Sequence, residues 1–228
     1  MTQTITYRFH LKSGESIELP LSFSQDSFDL LLPEDSPRPD WTVLAFHQCP
    51  HCPLVNKATH CPAAVGLAVI LPQLGHRVSF EEARIEVETP QRTLIGHYPI
   101  QRGASSLIGL VCATSGCPHF DFLRPMARFH LPFSNEAETL FRVFGSVLLQ
   151  QYVRNRVKDE EGPVDLDSLA ESYRLVSIVN RHLASRLRST VAQDAMLNGV
   201  VTLDCFAQIA PGDVEAGFRL MRRYFPVK

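Results

Sequence analysis

Four of the six cysteines in this chain stand directly before a proline: Cys49-Pro50, Cys52-Pro53, Cys61-Pro62 and Cys117-Pro118. Proline is 16 of 228 residues, so composition alone yields roughly 0.4 such pairs. The other two, Cys112 and Cys205, lie in the apolar helical patterns "LIGLVCAT" and "VVTLDCFA" and read as core residues, since free cysteine buries as a small hydrophobe. The chain thus sorts its cysteines into a set of four and a set of two. Proline fixes its own φ and holds the preceding residue extended, which suits a tight loop around a metal. Four thiolates fit tetrahedral Zn²⁺ and equally a [4Fe–4S] cluster.

The spacing is Cys-x₂-Cys-x₈-Cys with a distant fourth member. The first pair, in "FHQCPHCP", also resembles the dithiol of a thiol–disulfide oxidoreductase. That chemistry needs the first cysteine at the start of a substantial helix, whose N-terminus lowers the thiol pKa. Here Pro53 follows Cys52, and "PLVNKATH" has no amphipathic helical face. A metal site at Cys49, Cys52, Cys61 and Cys117 is therefore the leading reading, with Zn²⁺ first, a [4Fe–4S] cluster as the alternative and a Cys49/Cys52 redox pair behind both. His47, His51, His60 and His119 lie within two residues of these cysteines, and any could replace a thiolate. His51, inside the knuckle, is the weakest of them. No histidine directly follows the second cysteine, which excludes c-type haem attachment, and no His-x-Glu precedes the pair as in a zinc deaminase.

A second segment with chemical potential is "GCPHFDFLRPMARFHLPF", residues 116–133. Arg124, Arg128 and His130 stand there among aromatics, suited either to an anionic ligand or protein partner or simply to neutralising Asp121 and nearby acids. Neutralisation is the better reading. No glycine-rich phosphate loop occurs, and nothing places a catalytic carboxylate beside the cysteines. Whether the chain is an enzyme, its substrate and its oligomeric state are not legible.

The elements that must position these residues form an α+β arrangement. "TITYRFHL" and "SIELPLSF" alternate around "KSGE" as a hairpin, and "EARIEVET" with "RTLIGHYPI" forms another strand pair. "WTVLAF" reads as a strand feeding the cysteines, and "PAAVGLAVIL" as a short buried helix with Pro62 in its first turn. From Gln101 the pattern is helical. "RGASSLIGLVCATS" stops at Gly116, and Asn135-x-x-Glu138 opens a helix bearing Leu140, Phe141, Phe144, Val147 and Leu148. A break at "KDEEGPVD" (158–165) precedes a long helix with Leu166, Leu169, Tyr173, Val176, Leu183 and Leu187 on one face. Two further helices are expected near 192–208 and 213–225. The expectation is one compact domain over 1–228, β-rich from 1 to 100 and mainly helical from 101 to 228.

Composition limits the classes of function. Hydrophobic residues make up 45% and charged residues 20%, with formal net charge −2. No basic excess points to nucleic acid or an anionic membrane. The longest apolar run, Ala63 to Leu71, falls far short of the ~20 residues of a bilayer span. The first residues do not resemble a signal peptide, so a cytoplasmic location is the default, where clustered cysteines suggest metal or redox chemistry over disulfides.

Taken together, "WTVLAFHQCPHCPL", "HCPAA", "QRGASSLIGLVCATSGCP" and "LRPMARFHLPF" resemble the pattern of a bacterial protein family of unknown function. The resemblance runs over most of the chain. It implies that Cys49, Cys52, Cys61 and Cys117 form one site, and it implies no reaction. His119 lies outside the family pattern, which argues against it as a ligand.

Overall fold

The structure, a computed structural model, describes residues 1–159 and 166–225. The chain opens with the expected hairpin. β1 (Thr2–Leu11) pairs antiparallel with β2 (Ser16–Ser24), in register from Thr2↔Ser24 to His10↔Ser16. The turn is closed by the Leu11 N–H donating to Glu15 O and contains Gly14 at φ +89°, a conformation that costs glycine little. The two-residue β3 (Leu30–Leu31) edges β2. β4 (Glu82–Glu88) pairs with β1 on its other side, and β5 (Thr93–Pro99) pairs with β4. The resulting antiparallel sheet has the order β3-β2-β1-β4-β5. Alternation puts Ile5, Tyr7, Phe9, Leu19, Leu21, Phe23, Ile85 and Val87 on the buried face. On the solvent face Arg8 bridges Glu18, Glu86 and Glu88.

The helices are α1 (Pro62–Leu74), α2 (Ile100–Thr114), α3 (Arg124–Arg128), α4 (Glu136–Lys158), α5 (Asp167–Arg188) and α6 (Ala195–Glu215). α2 is the central one. A Cβ on its Gly103 would lie 2.6 Å from the Phe9 ring and 2.7 Å from Ile85 Cδ1, so the helix rests directly on the sheet. Its other side receives α6, where a Cβ on Gly199 would meet Ile108 Cδ1 at 2.8 Å and the Ser105 backbone nitrogen at 3.2 Å. α5 packs along α6. One cluster of buried side chains runs from the sheet through all of these helices except α3's exposed flank. α4 starts at a capping box: Asn135 Oδ1 accepts from Glu138 N–H, and the Glu138 carboxylate accepts from Asn135 N–H. Leu140, Phe144 and Val147 are buried on it, whereas Phe141 is exposed.

The α+β expectation holds: the N-terminal part is the sheet and the C-terminal half is helical. Three local expectations do not hold. "WTVLAF" is not a strand. Asp40–Thr42 is one 3₁₀ turn, and Val43 makes a single bridge to His60. Trp41 and Leu44 are buried and Val43 and Phe46 half-buried, but the carbonyls of Trp41, Val43 and Leu44 are taken up by a side chain, Arg186, instead of a ladder. At the C-terminus α6 runs unbroken to Glu215 through Pro211, followed among the described residues only by a 3₁₀ turn at Arg222–Tyr224. Ala207, Ala210 and Pro211 are all buried there, and packing overrides the local breaker. Cys205 is exposed, on an outward stripe with Val201 and Gln208; of the two cysteines expected in the core apart from the set of four, Cys112 alone is buried. Most of the expected break at 158–165 lies outside the described residues. Among the described residues no helix is long and apolar enough to cross a membrane.

The loop after α3 is tied to the sheet by Tyr7 Oη and His130 Nε2, 2.6 Å apart. Burial, followed by the nearby Arg142 charge, lowers the His130 pKa to about 3, and burial pushes the Tyr7 phenol up. Both are therefore neutral. A histidine with a depressed pKa favours the fold fully above its unfolded value of about 6.5, and that contribution is lost as pH falls toward 3. His130→Gln, which still accepts from Tyr7, is expected to flatten this acid limb of stability in urea titrations between pH 6.5 and 4; an unchanged limb assigns it to other groups. Two glycines separate packing from propensity. Gly199→Ala should destabilise by about 1–3 kcal/mol because the Ser105 backbone cannot give way. Gly145→Ala faces open space and should stabilise by about 0.5–1 kcal/mol, both read in denaturant melts.

Candidate metal centre

Two of the Cys-Pro pairs turn out to be helix starts. Cys61 is the N-cap of α1 with Pro62 at the first helical position, and Cys117 is the N-cap of the 3₁₀ turn Pro118–Leu123 with Pro118 in the same place. Both cysteines are extended, with φ/ψ of −70°/116° and −75°/119°, as a residue before proline prefers. Gly116, at φ +84°, turns the chain sharply between α2 and Cys117. Cys49 and Cys52 belong instead to a single turn in which Cys52 N–H donates to Cys49 O at 3.1 Å.

The loop carrying that turn is closed at its base. Leu44 N–H donates to Thr59 O and Cys61 N–H to Thr42 O, each at 2.8 Å. Thr42, fully buried, donates its hydroxyl to Pro39 O at 2.7 Å and lies 2.8 Å from His60 Nδ1. With its one proton already directed at Pro39, the hydroxyl accepts, so His60 carries its proton on Nδ1.

These constraints bring Cys49, Cys52, Cys61 and Cys117, the four predicted from their prolines, to the wall of one cavity of about 20 Å³. That is room for about one water-sized body. Cys61 and Cys117 are buried, Cys49 and Cys52 half-buried, and all four are free thiols. Burial first, then Cys61 and Cys52, pushes the Cys49 thiol up to about 12. Cys117 rises to about 12, burial outweighing the backbone N–H of His119 that favours its thiolate. Among the described residues no three His, Cys, Asp or Glu side chains stand in metal-coordinating geometry. The thiols surround the cavity without closing on a point.

Arg186 completes the wall, and sequence reading missed it. It is 2% exposed. Its Nη1 donates to Trp41 O at 2.6 Å and Val43 O at 2.8 Å, and its Nη2 to Leu44 O at 2.9 Å. Among the described residues no carboxylate pairs with it. Burial lowers its pKa, and the neighbouring Cys61, Cys49 and Cys52, as thiolates, pull it back up. His182, one turn earlier on α5, also lines the cavity and donates Nδ1–H to His47 O at 3.1 Å. The available signal was an arginine inside the buried stretch Leu183–Leu187 of a helix.

The four histidines flagged beside the cysteines have separate places. His119 lines the cavity and donates Nε2–H to His51 O at 3.1 Å. The His51 ring lies 4.4 Å from that of His119, with neither buried nitrogen partnered. His60 is held by Thr42, and His47 is exposed at φ +45°. Arg124 pairs with Asp29 at 2.5 Å and Asp121 at 2.9 Å, and Arg128 donates to Gln25 O and lies over the Phe28 ring. Both arginines thus fasten the 116–133 segment onto the loop between β2 and β3, Arg124 by neutralising acids, as expected, and Arg128 instead through a backbone carbonyl and an aromatic ring.

No curated protein and no solved structure matches the chain. One family does, and it covers nearly everything described above, from the middle of β1 to the last 3₁₀ turn. Over residues 5–226 the chain belongs to the family described as a domain of unknown function, DUF6901.

Proposed function

We propose that this is a metal-binding protein in which Cys49, Cys52, Cys61 and Cys117 hold one structural Zn²⁺. The observation that carries the reading is the convergence of four cysteines, from three separate segments, on one cavity beside a buried arginine that pairs with no described carboxylate. Four thiolates around Zn²⁺ carry a net charge of −2, and Arg186 offsets part of it. Without a cation burial holds the Cys49 and Cys117 thiols protonated; a bound cation reverses that preference outright. The cavity suits one ion better than the larger [4Fe–4S] cluster, which the donor set alone would also accept. The redox-pair reading gains nothing, because Cys49 begins no helix and its thiol is pushed up, the opposite of an activated nucleophile.

Metal analysis of protein purified without oxygen, with an absorption spectrum of the same sample, tests the reading. About one zinc per chain without visible absorption is the expected result. Iron with matching sulfide and a broad visible band would replace zinc by a cluster, and absence of both would end the metal reading.

Chelation and substitution extend the test. Chelation should destabilise the fold by several kcal/mol, within the ~10 kcal/mol scale of structural zinc. Cys117→Ser should be as damaging as Cys49→Ser in thermal melts, while exposed Cys205→Ser should change little; equal stability of all three would sink the idea. Arg186→Met should weaken zinc about 10–100-fold in chelator competition, as loss of a supporting partner does. Arg186→Lys, keeping the charge, should recover part of that affinity; no difference between the two would show the charge to be irrelevant.

A further inference from the structure

A second, larger cavity of about 160 Å³ lies between α2, α3, α5 and α6, with the start of α4 at its rim. Its walls are apolar, including Leu110, Ala113, Leu123, Met126, Val176 and Phe206. Cys112 also lines it, but burial pushes that thiol far up and leaves it unreactive.

Ser105 also lines it, and the hydroxyls of Ser106, Ser134 and Thr139 on its wall are given to backbone carbonyls; Arg142, Tyr173 and Asn180 lie toward two ends. At one, Arg142 and Tyr173 line the cavity near His130, and their proximity shows in their mutual electrostatic effects. Arg142 Nη2 donates to Met126 O at 2.8 Å and Phe129 O at 2.9 Å, and among the described residues the guanidinium forms no ion pair. At the other end is Asn180, 2% exposed, whose Nδ2 is buried without a partner. Tyr173 and Asn180 are two turns apart on α5, a rise of about 10 Å. No described carboxylate lines the cavity.

We propose that this cavity binds a small, rigid, mostly apolar monocarboxylate, its carboxylate at Arg142 and Tyr173 and an oxygen acceptor at its far end meeting the Asn180 amide. The size limit comes from volume. A cavity of about 150 Å³ accepts a benzene-sized molecule, so the body is a single ring or its equivalent. Glu138, one turn earlier on α4, acts on Arg142 only through space, so a cation in no described ion pair still selects an anion, and an orphaned amide N–H selects an acceptor. The apolar walls exclude sugars and nucleotides, whose polar edges would be stranded there.

The probe is 4-hydroxybenzoate, compared with 4-methylbenzoate, which lacks the far oxygen, and 4-methylphenol, which lacks the carboxylate. The full chain, as purified and with its methyl groups ¹³C-labelled, is titrated with each by NMR. Saturable shifts confined to cavity methyls such as Leu110, Met126, Val176 and Leu203 are expected with 4-hydroxybenzoate. Loss of the carboxylate should weaken binding about tenfold or more, on the scale of one charge-assisted hydrogen bond. Loss of the far oxygen should weaken it several-fold. Asn180→Leu should erase the difference between the two benzoates while keeping the preference over 4-methylphenol, a pattern that damage to the fold would not produce. Absence of saturable shifts with all three probes on the parent chain overturns the proposal. Equal affinity for all three overturns it as well, since the polar ends would then recognise nothing.

Discussion

A guanidinium taken out of water loses several kcal/mol of solvation unless its donors are met and its charge is answered. Arg186 meets the first condition with three backbone carbonyls. Those carbonyls belong to the segment that enters the cysteine loop, so satisfying the arginine also dictates the path of the loop. Val43 is left with one bridge to His60, Cys61 N–H reaches Thr42 O, and the Cys49–Cys52 turn is presented toward α5. The second condition, an answering negative charge, is met by no described carboxylate. The groups nearest to supplying it are the thiols themselves, and a thiol supplies charge only when something holds it deprotonated.

That explains why the sheet and helices were legible in the sequence and the loop was not. The β1–β2 and β4–β5 pairs carry their own alternation, and Asn135 with Glu138 marks a helix start through its own capping chemistry. α1 and α2 likewise follow from Pro62 and Gly116. "WTVLAF" carries the residue types of a strand but none of its pairing, because its acceptors face a side chain about 140 residues away. No local pattern records that. The same holds for α6, where Pro211 is a breaker by type and a buried packing residue by position. Cys205 shows the converse limit: an apolar neighbourhood in sequence became an exposed stripe once the helix chose which face to bury.

The cysteine set was legible because proline marked it, and the structure gives the mark a physical meaning. At Cys61 and Cys117 the proline starts a helical turn and the cysteine caps it, so two of the four thiols are fixed by backbone that is already rigid. Arg186 and His182 were hidden for the reason Arg142 and Asn180 were: polar residues on long helices look like surface until the packing is known. α5 contributes to both cavities. Tyr173, Val176 and Asn180 face the larger cavity, and Val179, His182, Leu183 and Arg186 face the cysteines. The 3₁₀ turn divides in the same way, with Cys117 and His119 on one side and Phe120 and Leu123 on the other. Any shift of these two elements is felt in both places.

The order of the sheet also bears on how the chain matures as it is synthesised. β1 is the central strand, and its second neighbour β4 begins at Glu82. By the time β4 leaves the ribosome, Cys49, Cys52 and Cys61 are already outside it, on an excursion that the β1–β4 pairing then closes. Cys117 follows some way behind, and Arg186 much later still. During translation the first three thiols therefore stand in the open without their fourth companion or their counter-charge. The nascent chain spends that interval with its most reactive groups least protected.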